Sequence, residues 1–234
     1  MKFGKHELIL GDSFEVLKTL EKESFDLVFT DPPYNIARDN NFTTMGRAGI
    51  DFGEWDRGFD LLSWIDSAFP LLRKGGSMLI FNDWKNLGEI ARHGEGLGLE
   101  IKDLIRWKKS NPMPRNIERR YVTDFEMLVW LVKPGAKWTF NKGIAHKYRR
   151  PELVSSLTPR SEKIGKGHIT QKPLGIISEL LEIHSNKGDK ILDPFMGSGT
   201  TMVSCSRLER VGTGIEKEFE FFEMSKERVG NEFL

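Results

Sequence analysis

Short aliphatic runs recur along this chain, each closed by glycine or proline and followed by residues spaced for a helix. That alternation constrains the fold more than any other feature, because it is the pattern of a largely parallel sheet covered on both faces. Glu7–Leu10 stops at Gly11-Asp12-Ser13 and leads into a helical stretch over Phe14–Leu20, with Ser13 as its cap. Phe25–Thr30 (FDLVFT) is a mostly apolar run of the kind a buried strand shows, and Pro32 and Pro33 break it sharply. Leu61, Leu62, Ile65, Phe69 and Leu72 mark one face of a helix over Phe59–Leu72. Gly75-Gly76 is expected to end it ahead of a strand at Ser77–Phe81. A glycine-weakened helix over Asn86–Gly96 follows, then Leu99–Trp107 and Glu126–Val132 as a hairpin at the sheet edge. The final stretch predicts a helix at Leu174–His184, a strand at Lys190–Leu192 and a helix at Thr200–Leu208. A strand at Val211–Ile215 and a helix at Glu218–Val229 complete it.

At 234 residues and 26.9 kDa the chain suits one α/β domain with a small appendage, and 38% hydrophobic against 29% charged residues excludes a disordered one. No apolar run approaches the ~20 residues of a membrane helix. The opening MKFGKHELIL lacks the apolar stretch of a secretory signal, so the cytoplasm is the expected location. A single cysteine, Cys205, rules out an internal disulfide framework and a cysteine-rich zinc site. The net charge of +1 hides an asymmetry: residues 101–172 carry 17 Lys and Arg against 6 Asp and Glu, a balance of +11. A polyanion-binding segment and a solvated basic face both account for this on charge alone. Residues 35–58, rich in glycine and without periodicity, read as a long loop and a candidate lid.

Two motifs carry chemistry. Asp31-Pro32-Pro33-Tyr34 follows directly on a buried strand, at the edge of an open α/β sheet where ligands bind. Two prolines stiffen the turn and remove two backbone donors, leaving a carboxylate, carbonyls and an aromatic plate for a planar ligand with an amino group. Ile191-Leu192-Asp193-Pro194-Phe195-Met196-Gly197-Ser198-Gly199-Thr200 is a strand, a glycine turn and a helix start, the geometry of a nucleotide-type cofactor loop. It has neither the dinucleotide glycine spacing nor Gly-Lys-Ser/Thr, and Gly-x-Gly alone is equally a tight turn. About 20 residues on, Glu216 ends the next strand, where an acid can accept hydrogen bonds from ribose hydroxyls; alone it reads equally as a surface acid.

Together these residues resemble the amino-methylating DNA methyltransferases that use S-adenosylmethionine. Asp31–Tyr34 matches that family's catalytic motif Asp/Asn/Ser-Pro-Pro-Tyr/Phe, and Phe195-Met196-Gly197-Ser198-Gly199 matches its cofactor motif FxGxG. Gly167-His168-Ile169-Thr170-Gln171-Lys172-Pro173 resembles the HPTQKP segment ahead of the cofactor strand, with Ile169 in place of proline. The catalytic motif precedes the cofactor motif, the order of the β group, and NPMPRNIERRY at 111–121 resembles a subgroup of short adenine-N6 enzymes. The resemblance implies a Rossmann-like methyltransferase fold, with a mostly parallel seven-stranded sheet in circularly permuted order and a small basic insert. It implies a catalytic half over 1–132, a target-recognition insert over 133–168 and a cofactor half over 169–234. It assigns catalysis to Asp31, Pro32, Pro33 and Tyr34. It assigns cofactor binding to Asp12, Ser13, Asp31, Thr170, Gln171, Lys172, Asp193, Phe195, Gly197, Ser198, Gly199, Thr200 and Glu216. Asp12 reads equally well as a helix cap shared with Ser13.

The implied reaction is methyl transfer to an exocyclic amine of a flipped base stacked on Tyr34, with S-adenosylhomocysteine as product and no metal. Asp at the first motif position leans to adenine N6, with cytosine N4 as the alternative. Cytosine-C5 chemistry needs a cysteine nucleophile, and Cys205 sits instead in the helix after the glycine loop, where packing explains it. A non-catalytic DNA-binding module is the reading from a different class. Arg106, Lys108, Lys109, Arg115, Arg119 and Arg120 are the candidate contacts to double-stranded DNA. A cognate restriction endonuclease and a second copy of the chain are the further implied partners. The five histidines lack ligand spacing and read as surface or capping groups, and Glu220, Glu223 and Glu227, with Lys226 and Arg228 nearby, as a solvated helix face.

Overall fold

The computed structural model describes residues 1–35, 58–114, 117–119, 121–144, 147–163 and 171–233; of the candidate lid at 35–58, residues 36–57 lie outside them. Among the described residues nine strands form one sheet. They are β1 (Lys2–Phe3), β2 (His6–Leu10), β3 (Phe25–Thr30), β4 (Leu72–Asn82), β5 (Glu100–Lys109), β6 (Phe125–Val132), β7 (Glu152–Ser155), β8 (Lys190–Asp193) and β9 (Val211–Glu216). Their order across the sheet is β1-β2-β9-β8-β3-β4-β6-β5-β7. Five neighbouring pairs are parallel and three, β1–β2, β4–β6 and β5–β6, antiparallel.

The sheet is therefore mixed and wider than the expected seven strands. The two additions lie at its edges, where unpaired backbone groups need covering. β1 folds back on β2 (Lys2↔Glu7), and β7, from the basic segment, pairs in parallel with β5 (Arg106↔Glu152). The β5–β6 hairpin is likewise not at the edge as expected. β6 buries Leu128, Val129, Trp130, Leu131 and Val132, a run with no face for water, so it lies between β4 and β5.

Alternation along the central strands feeds two cores. Leu27 and Phe29 of β3, Leu79 and Phe81 of β4, and Leu128 and Trp130 of β6 share one with α4 (Leu174–His184), α5 (Thr200–Arg207) and α6 (Phe219–Gly230). Val28, Met78, Ile80, Val129 and Leu131 share the other with α2 (Ser63–Ala68) and α3 (Trp84–Gly96); α1 (Ser13–Val16) lies on the same side.

Several local expectations are corrected by side-chain chemistry. Asp12, not Ser13, caps α1: its Oδ1 accepts the Phe14 N–H at 2.8 Å, while the Ser13 hydroxyl donates to the Pro194 carbonyl. α2 starts only at Ser63, because Asp60 Oδ1 accepts the N–H groups of Leu62 and Ser63 at 3.0 and 3.1 Å. Pro70 then tightens its end into the 3-10 turn Phe69–Leu71. Gly75-Gly76 ends no helix and lies inside β4, with Gly75 N–H donating to the Lys133 carbonyl at 2.8 Å. His6 and His184 are buried, not surface groups. Burial lowers both pKa values, that of His184 to about 3; His6 Nδ1 accepts the Gly212 N–H at 3.0 Å, and His184 packs edge-on to Trp130 at 4.5 Å.

Gly199 marks where the glycine turn meets α6. It caps α5 with φ +75, and a methyl group there would stand 2.9 Å from Ser225 Cβ and 3.3 Å from its Cα. Gly199→Ala is expected to destabilise the fold by about 1–3 kcal/mol through left-handed strain and this close approach. Thermal melting checks it; a Tm equal to that of the parent chain refutes the constraint.

Candidate active site

Parallel pairing puts the carboxyl ends of β2, β9, β8, β3 and β4 on one rim, and the antiparallel pairs add the start of β6 and the end of β5. Asp12, Glu216, Asp193 and Asp31 follow or end these strands and surround one cleft, open to solvent. Ser13, Gln171, Lys172, Phe195, Gly197, Ser198 and Thr200 also line it, so most of the cofactor set named from sequence converges. Gly199 shapes the turn from behind, and Thr170 lies outside the described residues. Phe14, Phe59 and Phe221, not anticipated, add apolar wall. The Phe59 ring meets those of Phe195 and Phe14 at 5.3 and 5.9 Å.

The glycine turn is held from both sides. Asp193 Oδ1 accepts the Thr30 hydroxyl at 2.8 Å and the Phe195 N–H at 3.1 Å, and burial pushes its carboxyl up to about 6. Glu216 accepts the Gly197 N–H at 3.0 Å on one oxygen and the Glu218 N–H at 2.9 Å on the other; burial raises its pKa against those bonds. The Lys217 N–H is a third donor to it, and of a carboxylate's about four lone-pair sites one remains for a ligand's hydroxyl. Arg228, read from sequence as part of a solvated face, instead reaches Thr200 Oγ1 at 2.7 Å and the Ser198 carbonyl at 3.2 Å and braces the turn. A buried acid, a glycine turn at a helix start and flanking aromatic rings fit an adenosine-bearing cofactor.

Beside this half of the cleft stands the proline turn. Tyr34 Oη donates to Asp31 Oδ1 at 2.6 Å, and the Tyr34 carbonyl accepts from Asn86 Nδ2 at 2.8 Å. Lys172, assigned from sequence to the cofactor, donates to Asp31 Oδ2. Behind it Glu126, which sequence reasoning missed, lies 3.1 Å from Lys172 Nζ and 2.8 Å from Lys109 Nζ. Its only signal was an acid opening an apolar strand. Burial raises the Asp31 carboxyl, with Lys172 opposing, and holds the Tyr34 phenol protonated well above its usual range. Burial also works against both charges of the Glu126–Lys172 pair. The ammonium groups of Lys172 and Lys109 nevertheless hold Glu126 low, and the carboxylates of Asp31 and Glu126 hold Lys172 high.

The basic residues divide. Arg106, Lys108 and Arg119 are exposed, Arg106 in a pair with Glu152, whereas Lys109, next to Lys108 on β5, turns inward to Glu126, as alternate residues on a strand must. Lys109 is accordingly corrected from DNA contact to partner of the buried cluster. Arg115 and Arg120 lie outside the described residues. Cys205 is fully buried and its thiol is pushed far up by burial, which suits packing and not nucleophilic attack.

A parallel rim with an adenosine-type cleft abutting a stiff acidic turn defines an α/β enzyme of group transfer. Residues 25–227 match the family described as DNA methylase, and the chain belongs to it: it is a DNA methyltransferase. The chain is 33% identical to the Type II methyltransferase M2.LlaDCHI of Lactococcus lactis subsp. cremoris, over 95% of this chain and 88% of that one. It is 32% identical to the Type II methyltransferase M2.DpnII of Streptococcus pneumoniae, over 97% and 91%. Its fold superposes on the crystal structure of an M1.HpyAVI–SAM complex with a TM-score of 0.77 at 39% identity, covering 95% of this chain and 98% of that one. Among the described residues no helix is long and apolar enough to cross a membrane.

Asp193 has a measurable pH signature. Its folded pKa, about 6 against 3.8, means the native state holds more protons between those values, so stability falls as pH rises through them. That loss is roughly 3 kcal/mol. Asp193→Asn is expected to flatten the fall between about pH 4 and 6. Denaturant titrations across that range check it, and an unchanged slope in the variant refutes the assignment.

Proposed function

We propose that this chain transfers a methyl group to the N6 amine of adenine at a specific sequence in double-stranded DNA. The observation that carries this reading is the abutment of Asp31, at the end of β3, on the cleft formed by Glu216 and the glycine turn. The methyl donor is S-adenosylmethionine, which when bound supplies a sulfonium methyl group and leaves as S-adenosylhomocysteine. Glu216 would accept from a ribose hydroxyl, Phe195 and Phe59 would give its base an apolar wall, Asp12 would meet its adenine or its methionine part, and Ser198 and Thr200 would line the turn beside it.

The amine of a nucleobase is a poor nucleophile because its lone pair is delocalised into the ring. Asp31 and the Pro32 carbonyl accept its two N–H bonds and favour the tetrahedral, positively charged form that develops during attack. This is preorganised electrostatics, and the proton leaves for solvent after the methyl group has transferred. Tyr34, held by its bonds to Asp31 and Asn86, presents a ring on which an extruded base can stack.

The chain divides on this reading into a catalytic half at 1–132, a target-recognition insert at 133–168 and a cofactor half at 169–234. The strand order supports a circular permutation: the strand after the glycine turn, β9, pairs with the N-terminal β2, and the cofactor strand β8 lies against the catalytic strand β3. Lys108, Arg115, Arg119 and Arg120 lie along the DNA. A cognate endonuclease reading the same target and a second copy of the chain are its proposed partners, and the cytoplasm its location. Asp31 favours adenine over cytosine N4, and identifying the modified base decides between them.

Sequencing DNA from cells that express the chain, with detection of modified bases, is expected to return N6-methyladenine at one short motif; N4-methylcytosine there would establish the alternative. Asp31→Ala is expected to lower methyl transfer by about 10²-fold or more with the fold intact. A folded variant at near parental rate refutes the role of Asp31. Replacing Lys108 and Arg119 together by Ala should flatten log affinity against log salt by at most about two units while the methylated sequence stays the same. An unchanged slope would place the DNA elsewhere.

A further inference from the structure

Both oxygens of the carboxylate that should receive the target amine already hold a donor. Asp31 Oδ1 accepts from Tyr34 at 2.6 Å, and Oδ2 accepts from Lys172 Nζ. Lys172 is 8% exposed, with its Nζ 3.3 Å from Tyr34 Oη and 5.1 Å from the centre of the Phe81 ring. On its far side Glu126 Oε2 is buried and 3.1 Å away, paired with the same ammonium. The other Glu126 oxygen takes Lys109 at 2.8 Å. One ammonium thus stands between two carboxylates and pairs with both.

An ammonium on Asp31 is incompatible with the reaction proposed there. Methyl transfer places positive charge on the incoming amine, and a second cation on the same carboxylate opposes that charge in surroundings that screen poorly. Lysine and a nucleobase amine are also N–H donors that need room beside the same oxygen. We propose that Lys172 is a positioning residue that occupies the target amine's seat on Asp31 when no base is present, and passes to Glu126 as the base enters. Glu126 and Lys109 are the receiving half of this exchange. The movement is short, since Nζ already lies 3.1 Å from Glu126. It offsets the burial of the Asp31 carboxylate between turnovers, and only a base whose amine can replace the bond takes the lysine's place. A base without that amine leaves Lys172 on Asp31.

This inference rests on Asp31 accepting the target amine, and the test separates the two. Binding is measured at saturating S-adenosylhomocysteine with two duplexes of the methylated sequence, one native and one carrying the deamino analogue of the target base (purine for adenine). In the parent enzyme the two are expected to bind within about threefold of each other, because the amine's bond replaces the lysine's. In Lys172→Met the vacated carboxylate should make the native duplex bind about tenfold or more tighter than the analogue. In Glu126→Gln the lysine has no anion to move to, so the KM for DNA should rise about tenfold while S-adenosylhomocysteine affinity stays within about twofold. A parental binding ratio in folded Lys172→Met overturns the proposal. Should that variant fail to fold, an unchanged KM in Glu126→Gln overturns it instead. Failure of the underlying reading shows separately, as methyl transfer that survives Asp31→Ala.

Discussion

The rim depends on one strand pairing. β3 and β8 run side by side in parallel, Leu27 against Ile191 and Val28 against Leu192, although they belong to opposite ends of the chain. Closing so long a loop is unfavourable, and the fully buried central strands on both sides of the seam offset it. Side chains bolt the seam at each end. Asp26 accepts the Lys190 N–H at 2.7 Å on one side, and at the rim Thr30 donates to Asp193 at 2.8 Å across 163 residues of sequence. The residue after Thr30 is Asp31, and the residues after Asp193 form the glycine turn. Catalytic turn and cofactor turn are neighbours because two strands are.

That juxtaposition concentrates negative charge. Exposed Asp12 and the more buried Asp31, Asp193 and Glu216 surround one cleft, with Glu126 behind, and burying carboxylates costs free energy unless each is satisfied. Backbone N–H groups satisfy Asp12 and Glu216, a hydroxyl and an N–H satisfy Asp193, and Tyr34 and Lys172 satisfy Asp31. The residual penalty appears in the raised carboxyls of Asp31, Asp193 and Glu216. A cleft of this sign suits a cationic methyl donor and a reaction that builds positive charge on nitrogen.

Much of this was legible in the residues. Phe25–Thr30 and Leu174–His184 are strand and helix as their patterns predict, because a mostly apolar run ended by two prolines and an amphipathic stretch of helical spacing leave little choice. The two motif turns also fall where their glycines and prolines require. Elements whose boundaries depend on a partner were read less well. β7 has only four residues and a weak pattern, and it exists because the edge of β5 needs covering. α2 was overextended because the Asp60 cap and Pro70 act against a periodicity that continues on either side.

Sequence alone therefore determined the alternating α/β plan, the two turns and the residue types brought to the cleft. These follow from side-chain periodicity and from the backbone limits of proline and glycine, which act within a few residues. Tertiary structure alone decided the partners: Lys172 on Asp31, Glu126 behind it, Lys109 turned inward, and Arg228 on the glycine turn. Such pairings depend on which strand ends align across the sheet and which side chains then share a desolvated space. That choice is made by register and burial over the whole chain, and no local pattern records it.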